Sequence, residues 1–186
     1  MRKVIAIFFM IGLVVFFYLY LDDNSSKDSE IDKKLVEILN YETEEEYPST
    51  PKEVITLFNK MVEYLYGGKI NKQDVESVTI QQRNLIKEAV LNENPLDVQV
   101  ERIIYEIESY KKEKKKIIGS DIKEITPDNY FGENNEYCTV EVVYYLVKGN
   151  NPNINVYQEY ILEKNEEGLW KILGWQQIEE FKIVGD

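Results

Sequence analysis

An uninterrupted apolar segment near the start of the chain constrains the structure more than any other feature. Residues 4–21 (VIAIFFMIGLVVFFYLYL) contain no charged side chain. A helix of this length spans about 27 Å at 1.5 Å per residue, close to the hydrocarbon thickness of a bilayer. Two basic residues, Arg2 and Lys3, precede the segment, and two acidic residues, Asp22 and Asp23, follow it. This asymmetry predicts a transmembrane helix with its N-terminus in the cytoplasm and the rest of the chain outside.

A cleaved signal peptide is the competing interpretation of the same segment. The apolar run is longer than the roughly 7–15 residues of a signal-peptide core, and no Ala-x-Ala-like cleavage site follows it. Lys outnumbers Arg by 19 to 3, a skew typical of AT-rich bacterial genomes. We therefore expect a single-pass protein of a bacterial cytoplasmic membrane that contacts lipid through residues 1–21. The sequence leaves both the anchor and the cleaved signal open.

The composition excludes several classes of function. The chain has no His and a single Cys, so intramolecular disulfides, His/Cys zinc sites and Ser-His or Cys-His nucleophile pairs cannot form. Its net charge of −12 becomes −14 when Arg2 and Lys3 are set aside. Such a negative charge argues against nucleic acid as a partner, because nucleic-acid binders present a basic surface. We expect no metal and no cofactor.

The remainder divides into a polar tether and one folded domain. Residues 22–49 are rich in charged and small polar side chains, with one short amphipathic helix predicted over residues 29–40. The domain over residues 50–186 opens with Thr50-Pro51-Lys52-Glu53, the sequence of a helix N-terminus with a capping box.

The periodicity of the domain changes from helical to strand-like after residue 116. Apolar residues recur at helical spacing in three stretches, which begin at Thr50, Asn71 and Asn94, and the second has a possible break near Thr79. Alternating patterns then predict strands over 117–126, 137–148, 154–164 and 169–177, separated by turn-forming residues. The expected fold is α+β, with three helices packed on one face of a curved antiparallel sheet of about four strands.

Two sequence blocks carry a resemblance to known proteins. The first is Tyr47-Pro48-Ser49-Thr50-Pro51-Lys52-Glu53-Val54. The second is Tyr157-Gln158-Glu159-Tyr160, which leads into Leu162-Glu163-Lys164 and Glu167-Gly168-Leu169-Trp170-Lys171-Ile172-Leu173-Gly174-Trp175. With the N-terminal anchor, they are similar to an uncharacterised family of clostridial-type, single-anchor membrane proteins, a domain of unknown function. The order of helices and strands resembles the cone-shaped nuclear-transport-factor-like fold. This resemblance implies a pocket between the sheet and the helices, and it transfers no catalytic residue.

Strict alternation assigns the even positions of the strands to the helix side. The predicted lining of the cone consists of Phe58, Tyr144, Gln158, Tyr160 and Trp170, and Trp170 and Ile172 are expected to be buried against the first helix. Acid–base chemistry without His needs a desolvated carboxylate there. Because Glu141 and Glu159 fall on the opposite face, the sequence gives no catalytic residue and disfavours an enzyme.

The odd positions predict a second candidate surface on the other face of the sheet. It consists of Tyr145, Tyr157, Ile161, Leu173 and Trp175, with Tyr145 paired near Tyr157 and Val143 near Glu159. Such an apolar patch is typical of an interaction surface, which would bind a second copy or an extracytoplasmic protein. The alternative is that residues 178–186 or 22–50 fold back and cover it.

Two functional hypotheses follow from these two surfaces. The first is a membrane-anchored extracytoplasmic interaction or scaffold domain. The second is a domain that uses the cone interior to bind a small ligand or, as the less favoured option, to catalyse acid–base chemistry without a metal. A cavity of about 300 Å³ or more with convergent polar groups favours the ligand hypothesis, whereas a filled cone favours the scaffold.

Overall fold

The computed structural model describes residues 33–41, 47–68, 70–128, 136–149, 151, 154–179 and 181. The apolar segment over 4–21 lies outside these residues, and no helix among the described ones is both long and apolar enough to cross a membrane. The chain divides into two units, residues 1–37 and 38–186. Residues 33–39 are helical (α1), within the range predicted for the amphipathic helix.

Four further helices precede the sheet in the described chain. They are α2 (Pro51–Tyr66), α3 (Lys72–Arg83), α4 (Glu88–Glu93) and α5 (Leu96–Lys112). The capping box predicted for α2 is confirmed: the Thr50 hydroxyl accepts from the Glu53 N–H at 3.2 Å, and the Glu53 carboxylate accepts from the Thr50 N–H at 3.2 Å. These bonds satisfy N–H groups that have no partner inside a helix.

The prediction of three helices in this region is wrong, because the stretch that begins at Asn71 forms two. The predicted break near Thr79 is also wrong, since Thr79 lies inside α3. The chain instead leaves the helix after Arg83. The Leu85 carbonyl accepts from the Ile172 N–H at 2.8 Å, and the Lys87 N–H donates to the Ile172 carbonyl at 2.9 Å. These two bonds occupy backbone groups at the free edge of the sheet.

The sheet is a four-stranded antiparallel meander, as predicted. Its strands are β1 (Lys115–Asp128), β2 (Tyr137–Lys148), β3 (Ile154–Lys164) and β4 (Trp170–Ile178), and they lie in sequence order. Helix α2 packs against β1, with further contacts to β2 and β4. The core between α2 and the sheet consists of fully buried side chains: Val54, Ile55, Met61, Leu65, Val140, Val142, Leu162 and Ile172. The chain is therefore of the α+β class.

The alternation predicted for β2 is confirmed on the helix side. The buried even-numbered residues of this strand are Cys138, Val140, Val142, Tyr144 and Leu146. The predicted pairing of β2 with β3 is wrong by two residues, because Val143 lies opposite Tyr157 and Tyr145 lies opposite Asn155.

The alternation fails in β4. Leu162 pairs with Ile172 and Ile161 with Gly174, so Leu173 is the extra residue of a β-bulge. A bulge reverses the side of the sheet to which later residues point. Trp175 therefore faces the helices, and its assignment to the outer face is wrong.

Candidate functional site

A cavity of about 570 Å³ lies between the helices and the sheet. All four strands of the sheet line it on one side, and α2, α5 and the region from α3 to α4 line it on the other. Most of the lining is apolar, and the polar groups belong to two clusters. This division gives the cavity an aromatic wall and a polar wall.

Three rings form the aromatic wall. Phe58 from α2 lies with its ring centroid 5.7 Å from that of Tyr160 and 5.7 Å from that of Trp175. The Tyr160 and Trp175 centroids are 6.0 Å apart. Tyr160 is fully buried, whereas Trp175 is 47% exposed. The indole therefore borders the cavity where it meets solvent.

A chain of hydrogen bonds runs beneath this wall. The Tyr144 hydroxyl donates to the Asn59 side-chain carbonyl and lies 2.8 Å from the Tyr160 hydroxyl. The Tyr160 hydroxyl also lies 2.8 Å from Gln158 Oε1, and it donates its single proton either to this oxygen or to the Tyr144 hydroxyl. Burial raises the pKa of both phenols well above the usual tyrosine range. Both hydroxyls are therefore neutral hydrogen-bonding groups at physiological pH.

The second polar cluster lies along α5. Gln99, Arg102 and Glu106 line the cavity from successive turns of this helix. The Tyr66 hydroxyl donates to Glu106 Oε2 at 2.5 Å. Burial and this hydrogen bond both raise the pKa of Tyr66, and burial contributes more. The cluster therefore presents one carboxylate and one guanidinium to the same space.

Arg83 supports this cluster without lining the cavity. Its Nη1 donates to the Asn94 carbonyl at 2.7 Å and to Gln99 Oε1 at 2.6 Å. The first bond joins the end of α3 to the connection between α4 and α5, and the second fixes the orientation of the Gln99 amide.

Four of the five residues predicted to line the cone line the cavity. Phe58, Tyr144, Gln158 and Tyr160 line the cavity, and Trp170 does not. Trp170 is paired with Lys164 at the far end of β3, where the Lys164 ammonium lies 5.7 Å from the indole centroid. It is only half-buried, so its predicted burial against α2 is wrong, whereas Ile172 is fully buried.

The structure does not bring the five residues of the predicted outer face together, because Trp175 lies on the helix side. The other four, Tyr145, Tyr157, Ile161 and Leu173, are half-buried. The Tyr145 hydroxyl donates to Asp121 Oδ2 at 2.6 Å. The Phe181 ring packs edge-on against Tyr157, with centroids 4.6 Å apart. A residue near the C-terminus thus covers part of this face, which was the alternative interpretation.

Comparison with known proteins assigns the chain to a family. The model of a domain of unknown function, DUF6715, matches residues 1–175. The chain belongs to the DUF6715 family. No curated protein matches it. Among solved structures, it is similar to the intermembrane space region of the chloroplast protein ARC6, with 11% identity and a TM-score of 0.35. That match covers 72% of this chain and 98% of the other.

Sequence reasoning missed the polar residues that the helices of this DUF6715 chain contribute. Gln99, Arg102 and Glu106 recur at helical spacing beside Ile103 and Ile107, which are the buried residues of α5. That spacing places the three polar side chains on one flank of the buried stripe. The helical spacing of these residues is therefore a signal of the polar wall that the sequence contains.

No group of three acidic or Cys side chains in the described part of the DUF6715 chain is arranged to hold a metal ion. The donor and acceptor groups at the cavity are instead amides, phenols, one carboxylate and one guanidinium. These groups recognise organic functional groups by hydrogen bonding and charge.

Proposed function

We propose that the domain over residues 38–186 binds a small organic molecule in its cavity. The observation that carries this proposal is the cavity itself, about 570 Å³ in volume with polar groups on its walls. Pockets for small molecules have volumes of roughly 300–1,000 Å³, with a mostly apolar lining and a few placed polar groups. The volume exceeds the value of about 300 Å³ above which the ligand hypothesis is favoured over a filled cone.

The distribution of polarity in the cavity favours an amphipathic ligand. Phe58, Tyr160 and Trp175 offer ring faces and edges for an apolar group. Gln99, Arg102 and Glu106 offer hydrogen bonds and charge to a polar group. A ligand with one apolar and one polar end matches both walls.

The fold supports a proposed kinship with the nuclear-transport-factor-like proteins. Helices pack on one face of a four-stranded antiparallel meander, and a cavity lies between the two layers. The interaction-domain hypothesis has less support, because the outer face lacks Trp175 and Phe181 covers Tyr157.

A panel of small molecules tests the ligand proposal on the full chain in detergent. The panel contains amino acids, carboxylic acids, amines, nucleosides and monosaccharides, and the measurement is thermal unfolding followed by calorimetric titration. A ligand at one hundred times its Kd should stabilise the fold by about 2.7 kcal/mol. At least one class should bind saturably.

A matched pair of variants connects binding to the cavity. Val156→Phe adds bulk to a residue that lines the cavity and should abolish binding. Val147→Phe makes the same change on the neighbouring strand outside the lining and should leave binding intact. The proposal is contradicted if no class stabilises the protein, or if both variants bind as the parent does.

We also propose that residues 4–21 anchor this domain to the outer side of a bacterial cytoplasmic membrane, in a host of the clostridial type. The proposal rests on the apolar run and on the charges that flank it. Alkaline phosphatase fused after Asp186 should be active and should sediment with membranes. An inactive fusion would contradict the orientation, and an active fusion released into the medium would contradict the anchor.

A further inference from the structure

The arginines of this chain are concentrated at the cavity. The sequence has only three arginines among its 22 basic residues. One of them, Arg102, lines the cavity, and another, Arg83, bonds to two residues that line it. No described lysine belongs to the lining. A guanidinium binds a carboxylate through two parallel hydrogen bonds, which an ammonium group cannot do. The use of Arg where Lys is the common basic residue therefore suits a ligand with a carboxylate.

The Arg102 side chain forms no ion pair or hydrogen bond within the described part of the chain, so among these residues nothing competes with a ligand for its donors. It lies one turn before Glu106 on α5, yet no ion pair joins the two side chains. Helical residues four apart are neighbours at about 5–6 Å between Cβ atoms. A ligand group can therefore lie between these two opposite charges.

Gln99 adds a second donor beside Arg102. Arg83 can only donate, so the Gln99 atom that it contacts at 2.6 Å is the carbonyl Oε1. The amide nitrogen of Gln99, with its two N–H groups, is then left for other acceptors. Gln99 and Arg102 are three residues apart on the same helix, which places their side chains side by side. Together they form a two-residue site for one carboxylate, and Arg83 is its positioning residue.

Glu106 favours a ligand that also carries a positive charge. Its Oε2 accepts from the Tyr66 hydroxyl at 2.5 Å, and a carboxylate has further lone pairs for a second donor. A ligand with only a carboxylate would be repelled by Glu106, and a ligand with only an ammonium group would be repelled by Arg102. A molecule with both groups on adjacent atoms satisfies both residues.

We propose that the ligand is a zwitterionic α-amino acid with an apolar side chain. Its carboxylate binds Arg102 and Gln99, its ammonium group binds Glu106, and its side chain packs against Phe58, Tyr160 and Trp175. This inference rests on the proposed function and specifies its ligand class. The polar wall of the cavity matches the charged end of such a molecule, and the aromatic wall matches its apolar side chain.

Tryptophan fluorescence of the full chain in detergent tests the proposal. The chain has two tryptophans, and Trp170→Phe leaves Trp175 as a reporter at the cavity mouth. The probes are L-phenylalanine with 3-phenylpropionate and 2-phenylethylamine, and L-leucine with 4-methylpentanoate and isoamylamine. In each trio the amino acid should bind about tenfold or more tightly than either analogue, because each analogue leaves one charged group without its partner.

Charge variants assign the two ends of the ligand. Glu106→Gln should remove the preference for the amino acid over the carboxylic acid, and Arg102→Gln should remove its preference over the amine. Glu101→Gln is the matched control, because Glu101 is an exposed residue of α5 outside the lining. Its affinities should equal those of the parent.

The outcomes separate this inference from the proposed function. Equal affinities within a trio, or unchanged ratios in Glu106→Gln, would overturn the zwitterion. Failure of all six probes to bind would overturn it as well. The proposed function would stand in either case if another class in the wider panel binds and Val156→Phe abolishes that binding. If the six probes bind equally well to Val156→Phe, both proposals are overturned.

Discussion

Glu163 is a buried carboxylate, which is uncommon for a charged side chain. It is a carboxylate on β3 with 4% exposure, at an odd position that alternation assigns to the outer face. The Lys87 ammonium forms an ion pair with it, and the Tyr137 hydroxyl donates to its Oε1 at 3.3 Å. Lys87 belongs to the short connection between α3 and α4. The ion pair therefore joins that connection to the sheet at the same place as the backbone bonds to Ile172.

Removing one partner of this ion pair should lower the free energy of unfolding more than removing both partners. Lys87→Met removes the ammonium group that pairs with the buried Glu163 carboxylate. We expect the free energy of unfolding to fall by about 3 kcal/mol. That value is at the lower end for buried pairs because the Lys87 side chain is 37% exposed. The measurement is urea unfolding of the full chain, where total stabilities of about 5–15 kcal/mol are typical. The double variant Lys87→Met, Glu163→Gln should recover most of the loss. Equal midpoints for parent and Lys87→Met would show that the pair does not stabilise the fold.

Among the elements, the inward phase of β2 could be predicted along the whole strand, whereas that of β4 could be predicted only as far as its bulge. The alternation of β2 runs from Cys138 to Leu146 without interruption, because every even residue there is apolar and packs on the helices. The bulge at Leu173 is a property of the pairing between β3 and β4. The local signal for it is Gly174, because an isolated Gly inside a strand often marks a bulge, but that signal does not identify Leu173 as the extra residue. The prediction for Trp175 was wrong because the extra residue, Leu173, reverses the side to which Trp175 points.

The break between α3 and α4 illustrates the same limit for helices. Leu85, Ile86 and Lys87 have good to moderate helix propensity, so the sequence favours a helix that continues. Their backbone instead bonds to Ile172, which lies more than eighty residues later in the chain. Tertiary hydrogen bonds of this kind override local propensity and are invisible to periodicity. The N-terminus of α2 was predictable because its capping box is local.

Prediction of the candidate site needs both the local sequence pattern and the tertiary packing of the helices. Phe58, Tyr144, Gln158 and Tyr160 were predictable because they lie on regular elements whose phase the sequence gives correctly. The polar wall needs α3 and α5 in contact, and it needs Arg83 to reach across to Gln99. That arrangement is set by helix packing, which a single sequence does not specify.

Across the whole molecule, buried phenols couple stability to alkaline pH. Burial is the main factor that raises the pKa of Tyr47, Tyr66, Tyr144 and Tyr160 above the usual value of 10.0. In the unfolded chain these side chains release their protons near pH 10, while in the folded chain they retain them. The unfolded state then binds fewer protons, so the free energy of unfolding decreases as pH rises. Their contribution is complete below pH 10 and is lost progressively above it.

We expect a single cooperative alkaline transition of the folded domain. Exposed tyrosines should ionise first, and the buried group should ionise together with the loss of circular dichroism, because its ionisation requires unfolding. Tyr160→Phe removes one of the buried ionising groups and should make the fall in stability above pH 10 less steep. Tyr105→Phe, at a residue that is 75% exposed, is the control and should not alter the slope. Tyrosinate absorbance followed against pH makes the measurement. If all tyrosines ionise near pH 10 while the circular dichroism is unchanged, the hydroxyl network of the cavity is accessible to solvent and does not contribute to stability in this way.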